Sequence, residues 1–98
     1  MPLPGRLFCD TSFFYACFDQ HDVNHERARE ISEEAATASS ALYVTWDIIS
    51  ETTTLLRYRR TYREALTFLT AVKPDLRIVN YGATVRTEAE QIFPEVRP

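Results

Sequence analysis

The spacing of apolar residues changes several times along this chain, and each change marks an element. Leu7-Phe8-Cys9 is a short continuous apolar run and predicts a buried strand. Phe13, Phe14, Cys17 and Phe18 then recur at helical spacing, behind Thr11 and Ser12, either of whose hydroxyls can cap that helix. Asp19-Gln20-His21-Asp22 interrupts the pattern. A second helix is expected to start at Asp22 or Asn24, with Ala28, Ile31 and Ala35 facing inward and Glu26, Arg27, Arg29, Glu30, Glu33 and Glu34 outward. Thr37-Ala38-Ser39-Ser40 turns the chain into a second strand, Leu42-Tyr43-Val44-Thr45. A third helix should run from Trp46 to about Arg59, capped by Thr45 or Asp47. On a wheel, its Ile48, Ile49, Thr52, Leu55 and Leu56 share an arc of about 120°. The break at Arg60-Thr61-Tyr62 precedes a fourth helix with Tyr62, Ala65, Leu66 and Leu69 inward, which Lys73-Pro74-Asp75 stops because proline cannot extend the hydrogen-bond ladder. Leu76-Arg77-Ile78-Val79 predicts a third strand, and a last helix is expected over 82–93.

Strands joined by helical crossovers imply a parallel sheet, and short apolar strands imply a sheet covered on both faces. The expected class is therefore α/β, a three-layer α/β/α arrangement around a short parallel sheet, in one domain over residues 1–98. The composition fits: 45% apolar and 26% charged residues describe an ordinary globular chain. No apolar run approaches the ~20 residues of a membrane span. The first six residues lack the apolar core and cleavage pattern of a secretion signal. Cys9 and Cys17 lie among aromatics, without zinc-site spacing, and read as buried free thiols in a reduced, cytoplasmic setting. A net charge of −3 disfavours a non-specific nucleic-acid binder. A polyanion would have to be met at a confined place, with help from a metal ion.

Two acids stand where charge is expensive. Asp10 closes the first apolar run, and Glu51 interrupts Ile48-Ile49-Ser50-Glu51-Thr52. Glu51 falls about 40° outside the apolar arc of its helix, a boundary position that can project a carboxylate over a neighbouring strand end. Ligands of open parallel α/β sheets gather outside the carboxyl ends of the strands, where both acids belong. At ~5 Å and an effective dielectric near 20, two carboxylates repel by about 3 kcal/mol. A divalent cation offsets that repulsion, and hard oxygen ligands suit Mg²⁺ or Mn²⁺. Taken singly, Asp10 is equally well a helix cap and Glu51 a solvated helix residue; taken together on this topology, they favour a shared site.

The ordered set Phe8-Cys9-Asp10-Thr11-Ser12-Phe13, Asp22-Val23-Asn24-His25-Glu26-Arg27-Ala28 and Val44-Thr45 through Ile48-Ile49-Ser50-Glu51-Thr52 resembles the PIN-domain family, above all its VapC-like toxin branch from bacterial toxin–antitoxin pairs. Ala65-Leu66-Thr67-Phe68-Leu69 and Leu76-Arg77-Ile78-Val79 fit the same order, so the likeness spans nearly the whole chain. It implies a Mg²⁺- or Mn²⁺-dependent endoribonuclease acting on RNA, with Asp10 and Glu51 as catalytic, metal-binding acids and Ser12 as the small polar residue supporting the first. It also implies a protein antitoxin as partner. The family is expected to carry a third and a fourth acid, and two final strands, beyond the last helix. This sequence ends at Glu95-Val96-Arg97-Pro98, so the expectation is a C-terminally truncated PIN-like fold lacking its last strands and weak or inactive as it stands. Its first strand would then be an edge, favouring a homodimer or a domain-swapped oligomer. The alternative is a non-catalytic PIN fragment acting as a binding or dimerisation module. A phosphatase with a strand-end nucleophile is disfavoured, because Ser12 stands where that chemistry wants a second Asp.

Arg57, Arg59, Arg60 and Arg63, interleaved with Tyr58 and Tyr62, are candidate RNA contacts through phosphate pairing and base stacking. Their plainer explanation, slightly favoured, is a solvated helix end where positive charge complements the dipole. The resemblance implies that His25 packs and caps the second helix rather than acting as a base. Asp47, Asp19 and Asp22 are expected to be helix-start, solvated or capping acids.

Overall fold

The computed structural model describes residues 5–79. The helix expected over 82–93 lies outside them. Three strands, β1 (Arg6–Phe8), β2 (Ala41–Val44) and β3 (Arg77–Ile78), form one parallel sheet in the order β1-β2-β3. Arg6, Leu7 and Phe8 pair with Ala41, Leu42 and Tyr43, while Tyr43 and Val44 pair with Arg77 and Ile78. The ladder runs on past the strand ends, with Cys9 N–H donating to Tyr43 O at 2.9 Å and Val79 N–H to Val44 O at 2.8 Å. The α/β class and the short parallel sheet are those expected from the alternation of apolar spacings.

Helices α1 (Thr11–Phe18) and α2 (His25–Ala38) join β1 to β2. Helices α3 (Trp46–Arg59) and α4 (Tyr62–Thr67), followed by a π-helical turn at Phe68–Val72 and a 3₁₀ turn at Lys73–Asp75, join β2 to β3. Among the described residues no helix is long and apolar enough to cross a membrane.

The caps explain the helix starts, and at α1 they decide between the candidates. Asp10, not Thr11 or Ser12, caps α1, its carboxylate accepting from Phe13 N–H. The hydroxyls of Thr11 and Ser12 turn to other carboxylates instead. Thr45 caps α3 as expected, and Thr61 caps α4. Neither Asp22 nor Asn24 caps α2 through its side chain; Asp22 folds an Asx turn onto Asn24 N–H at 2.8 Å just before the helix. That helix ends at Ser39, which takes the left-handed conformation (φ 56°) and lets Ser40 N–H reach Ala35 O at 2.9 Å.

Cys9, Phe14, Val44, Ile49, Leu56, Ala65, Phe68 and Leu76 form the core. Phe14 of α1 meets Phe68 edge-on, with ring centroids 5.1 Å apart, which ties the first helix to the chain beyond α4. The buried face of α4 departs from the simple wheel. Tyr62 and Leu66 are 66% and 46% exposed, whereas Ala65 and Phe68 are buried. The wider turn at Phe68–Val72, in which Lys73 N–H reaches back to Phe68 O, carries Phe68 inward in their place. Thr52 is fully buried in α3, and its hydroxyl has no hydrogen-bond partner.

Candidate functional site

Asp10 follows the end of β1, and its extended backbone (φ −112°, ψ 176°) opens α1. One carboxylate oxygen, Oδ1, accepts from Ser12 Oγ at 2.9 Å and from Phe13 N–H at 3.0 Å. Both contacts fall on the same oxygen, so the helix start fixes how this acid is presented. Glu51 stands on α3, with its own start set by the Thr45 cap at the end of β2. Thr11 Oγ1 donates to Glu51 Oε2 at 3.2 Å, across 40 residues of sequence. The residue next to Asp10 therefore touches Glu51; Asp10 lies just past the end of β1, and Glu51 in the second turn of the helix that leaves β2. Both are solvent-exposed. Among the described residues there is no group of three or more His, Cys, Asp or Glu that could hold a metal ion.

Beside this contact runs an open groove of about 460 Å³, lined by Thr11 and by Ser50, Glu51, Thr54, Leu55, Tyr58 and Arg59 of α3. Asp10 does not line it but adjoins it through Thr11. Thr11 could be seen in the sequence only as a helix start; its contact with Glu51 depends on how α1 and α3 lie together. Ser50, Thr54 and Leu55 had a legible signal, since they surround Glu51 at helical spacing.

The four arginines separate into different environments. Arg59 lines the groove. Arg57 lies over the Tyr62 ring, 5.8 Å from its centroid. Arg63 is exposed on α4. Arg60 is engaged in the fold: it grips Glu64 with two bonds of 3.0 and 3.2 Å, and reaches Asp19 at 3.5 Å. Asp19 also accepts from His21 N–H and from the Tyr15 hydroxyl, and these bonds, with the Arg60 charge, hold its carboxyl below the usual range. Tyr15 is correspondingly pushed up, first by burial and then by that hydrogen bond. This network ties the end of α1 to the break between α3 and α4.

The remaining polar candidates have structural partners. His25 Nδ1 lies 2.6 Å from Ala16 O, so the ring pins α2 to α1 as an Nδ1–H donor. Asp47 is exposed in the first turn of α3, where a negative charge suits the dipole. Cys9 and Cys17 are free thiols. Burial, then the neighbouring Asp10 charge, pushes Cys9 up to about 11, and burial likewise raises Cys17. Neither is an activated nucleophile.

No curated protein is significantly similar to this chain. Among solved structures, the fold is similar to VapC20 of Mycobacterium tuberculosis, described as a sarcin-ricin loop cleaving toxin, with a TM-score of 0.66 and 22% identity. The match covers 90% of this chain and 66% of that one. At that identity the likeness concerns the fold. The family model for the PIN domain matches residues 7–97. With nearly its whole length inside that match, and a short parallel sheet joined by helical crossovers, this chain belongs to the PIN-domain family.

Proposed function

We propose that this chain is a metal-dependent endoribonuclease of the PIN type, the toxin of a toxin–antitoxin pair, and that Asp10 and Glu51 are the acids of its metal site. One observation carries the reading: the 3.2 Å bond from Thr11 to Glu51 ties together two acid-bearing segments 40 residues apart. PIN-family proteins generally use divalent metal ions. The donor chemistry fits, because two exposed carboxylates are hard oxygen ligands of the kind Mg²⁺ or Mn²⁺ takes. They fit as part of a ligand set, with water completing it. A bound ion would supply charge stabilisation at a phosphate and a more acidic water. The protein's own part is orientation. Ser12 and Phe13 N–H hold one oxygen of Asp10, and Thr11 holds one oxygen of Glu51. Arg57, Arg59 and Arg63 are the proposed contacts for RNA phosphates, whereas Arg60 is occupied by Glu64 and Asp19.

The likeness to VapC20 supports RNA as substrate and an antitoxin as partner in the cytoplasm. Among the described residues β1 stands at one end of the sheet, and a homodimer or domain-swapped oligomer belongs to the same proposal. Among the described residues two acids offer themselves to an ion, and metal binding is the direct readout of that pair. The two-acid rim also favours, as second reading, a non-catalytic binding or dimerisation module. Mn²⁺ is expected to raise the melting temperature of the wild type but not of Glu51→Gln, and to support RNA cleavage that the same substitution abolishes. A Mn²⁺ response unchanged in Glu51→Gln removes the metal site. A Glu51-dependent response without any cleavage leaves the binding module.

A further inference from the structure

The groove beside Glu51 has a chemistry that cation binding does not use. Glu51, Leu55 and Tyr58 are spaced i, i+4, i+7 and share one face of α3, with Arg59 on one flank and Ser50 and Thr54 on the other. Tyr58 is 81% exposed, a large aromatic surface left open to solvent beside half-buried Leu55. The guanidinium of Arg59 has no ion-pair partner among the described residues. Tyr62, an exposed aromatic on α4, does not line this groove and has Arg57 over one face of its ring. An open aromatic ring beside an unpaired cation and two hydroxyls is the equipment of a site for an unpaired nucleotide.

We propose that the α3 groove is a single-stranded RNA subsite, in which Tyr58 stacks an unpaired base and Arg59 pairs with the adjoining phosphate. The inference rests on the nuclease reading only for its polarity, with the scissile phosphate at the Glu51 end. Seven residues of helix separate Glu51 from Tyr58 by about 10 Å, no more than about three stacked nucleotides at about 3.4 Å each. A groove of about 460 Å³ lies in the range of small-ligand sites, about 300–1,000 Å³. Hydroxyls as the polar wall can donate or accept, and an aromatic face accepts any base. The subsite therefore selects for an unstacked base rather than for sequence. Duplex RNA keeps its base faces covered and is refused.

The test is fluorescence anisotropy with a labelled single-stranded RNA decamer of mixed sequence and the matching duplex, on the full chain, in EDTA so that metal binding plays no part. The single strand is expected to bind more tightly than the duplex. Tyr58→Ala should weaken it by about 5- to 150-fold, the loss of one base–aromatic stack, and Tyr58→Phe should recover most of that loss. Arg59→Gln should lower the slope of log affinity against log salt by about 0.7. Arg29→Gln removes the same charge from the exposed face of α2 and should leave affinity within about twofold, set against the stacking loss at Tyr58. Tight single-strand binding that Tyr58→Ala leaves intact overturns the proposal, as does preference for duplex or no RNA affinity, the last leaving a protein partner as occupant. Tyr58-dependent binding without Mn²⁺-dependent cleavage would sink the nuclease reading alone, and Glu51-dependent cleavage indifferent to Tyr58 would sink the subsite alone.

Discussion

Asp10 has two separable roles, and substitution pulls them apart. As a cap, its Oδ1 accepts from Phe13 N–H at 3.0 Å and from Ser12 Oγ at 2.9 Å, at the start of an 8-residue helix. Asp10→Ala removes both bonds and is expected to cost about 1 kcal/mol, within the range of about 0.5–2 for cap loss. Helix α1 carries Phe14 against Phe68, so loosening its start is felt in the core. Asp10→Asn keeps an acceptor in the same place. It forfeits the attraction of a negative charge to the helix N-terminus, about 0.3–1 kcal/mol. It also relieves repulsion from the Glu51 side of the rim, which opposes that loss. A domain of this size shifts its melting temperature by about 4–8 °C per kcal/mol. Circular-dichroism melts in EDTA should therefore place the alanine variant about 4–8 °C below the wild type and the asparagine variant between the two. Adding Mn²⁺ at 100 times its dissociation constant should stabilise the wild type by about 2.7 kcal/mol and neither variant. An asparagine variant melting as low as the alanine one refutes the cap reasoning. One that keeps the full Mn²⁺ stabilisation removes Asp10 from the ion's site.

Other perturbations test the rest of the structure. Thr52→Val replaces a fully buried, unpartnered hydroxyl with a methyl of the same shape and should raise stability by about 1 kcal/mol in urea melts; a loss of that size would mean the hydroxyl has a partner. Because the folded Asp19 carboxyl is held below its usual range, its contribution is present above the unfolded value of about 4 and is lost as pH falls through the folded one. Asp19→Asn should lower stability at pH 7 and flatten the acid side of the profile, and an unchanged profile would contradict the network. The buried Cys9 thiol, raised to about 11 from 9.0, keeps its proton in the folded state. Stability should therefore fall as pH rises from about 9 to about 11, less so in Cys9→Ala, and thiol reagents at pH 8 should modify Cys9 no faster than global unfolding allows.

Glu51 and the four-helix order were legible because each depends on neighbours within a turn or two. Apolar spacing located β2 and α3 within a residue of their observed ends, and Thr45 was recognisable as a cap because a hydroxyl just before a helical run has one obvious local use. Asp10 was legible as a possible cap of α1, but so were Thr11 and Ser12, and the choice among them was not. All three are competent, and what decides is that Thr11 is drawn to Glu51 while Ser12 turns back to Asp10 itself. The inner face of α4 was misassigned at Tyr62 and Leu66 because an even wheel does not anticipate the π-helical turn that brings in Phe68.

The sequence by itself determined the class of fold, the order of elements and the two acids at the edges of apolar runs, since hydrophobic burial and helix capping act over short stretches of chain. Tertiary structure alone decided which side chains meet across long separations. It brought Thr11 to Glu51 and enclosed Arg60 between Asp19 and Glu64. It set Arg57 over Tyr62 and left Tyr58 and Arg59 open along a groove. Four arginines that are alike in sequence acquire different roles because a guanidinium is defined by what lies within about 4 Å of it, and that is set by how the helices cross.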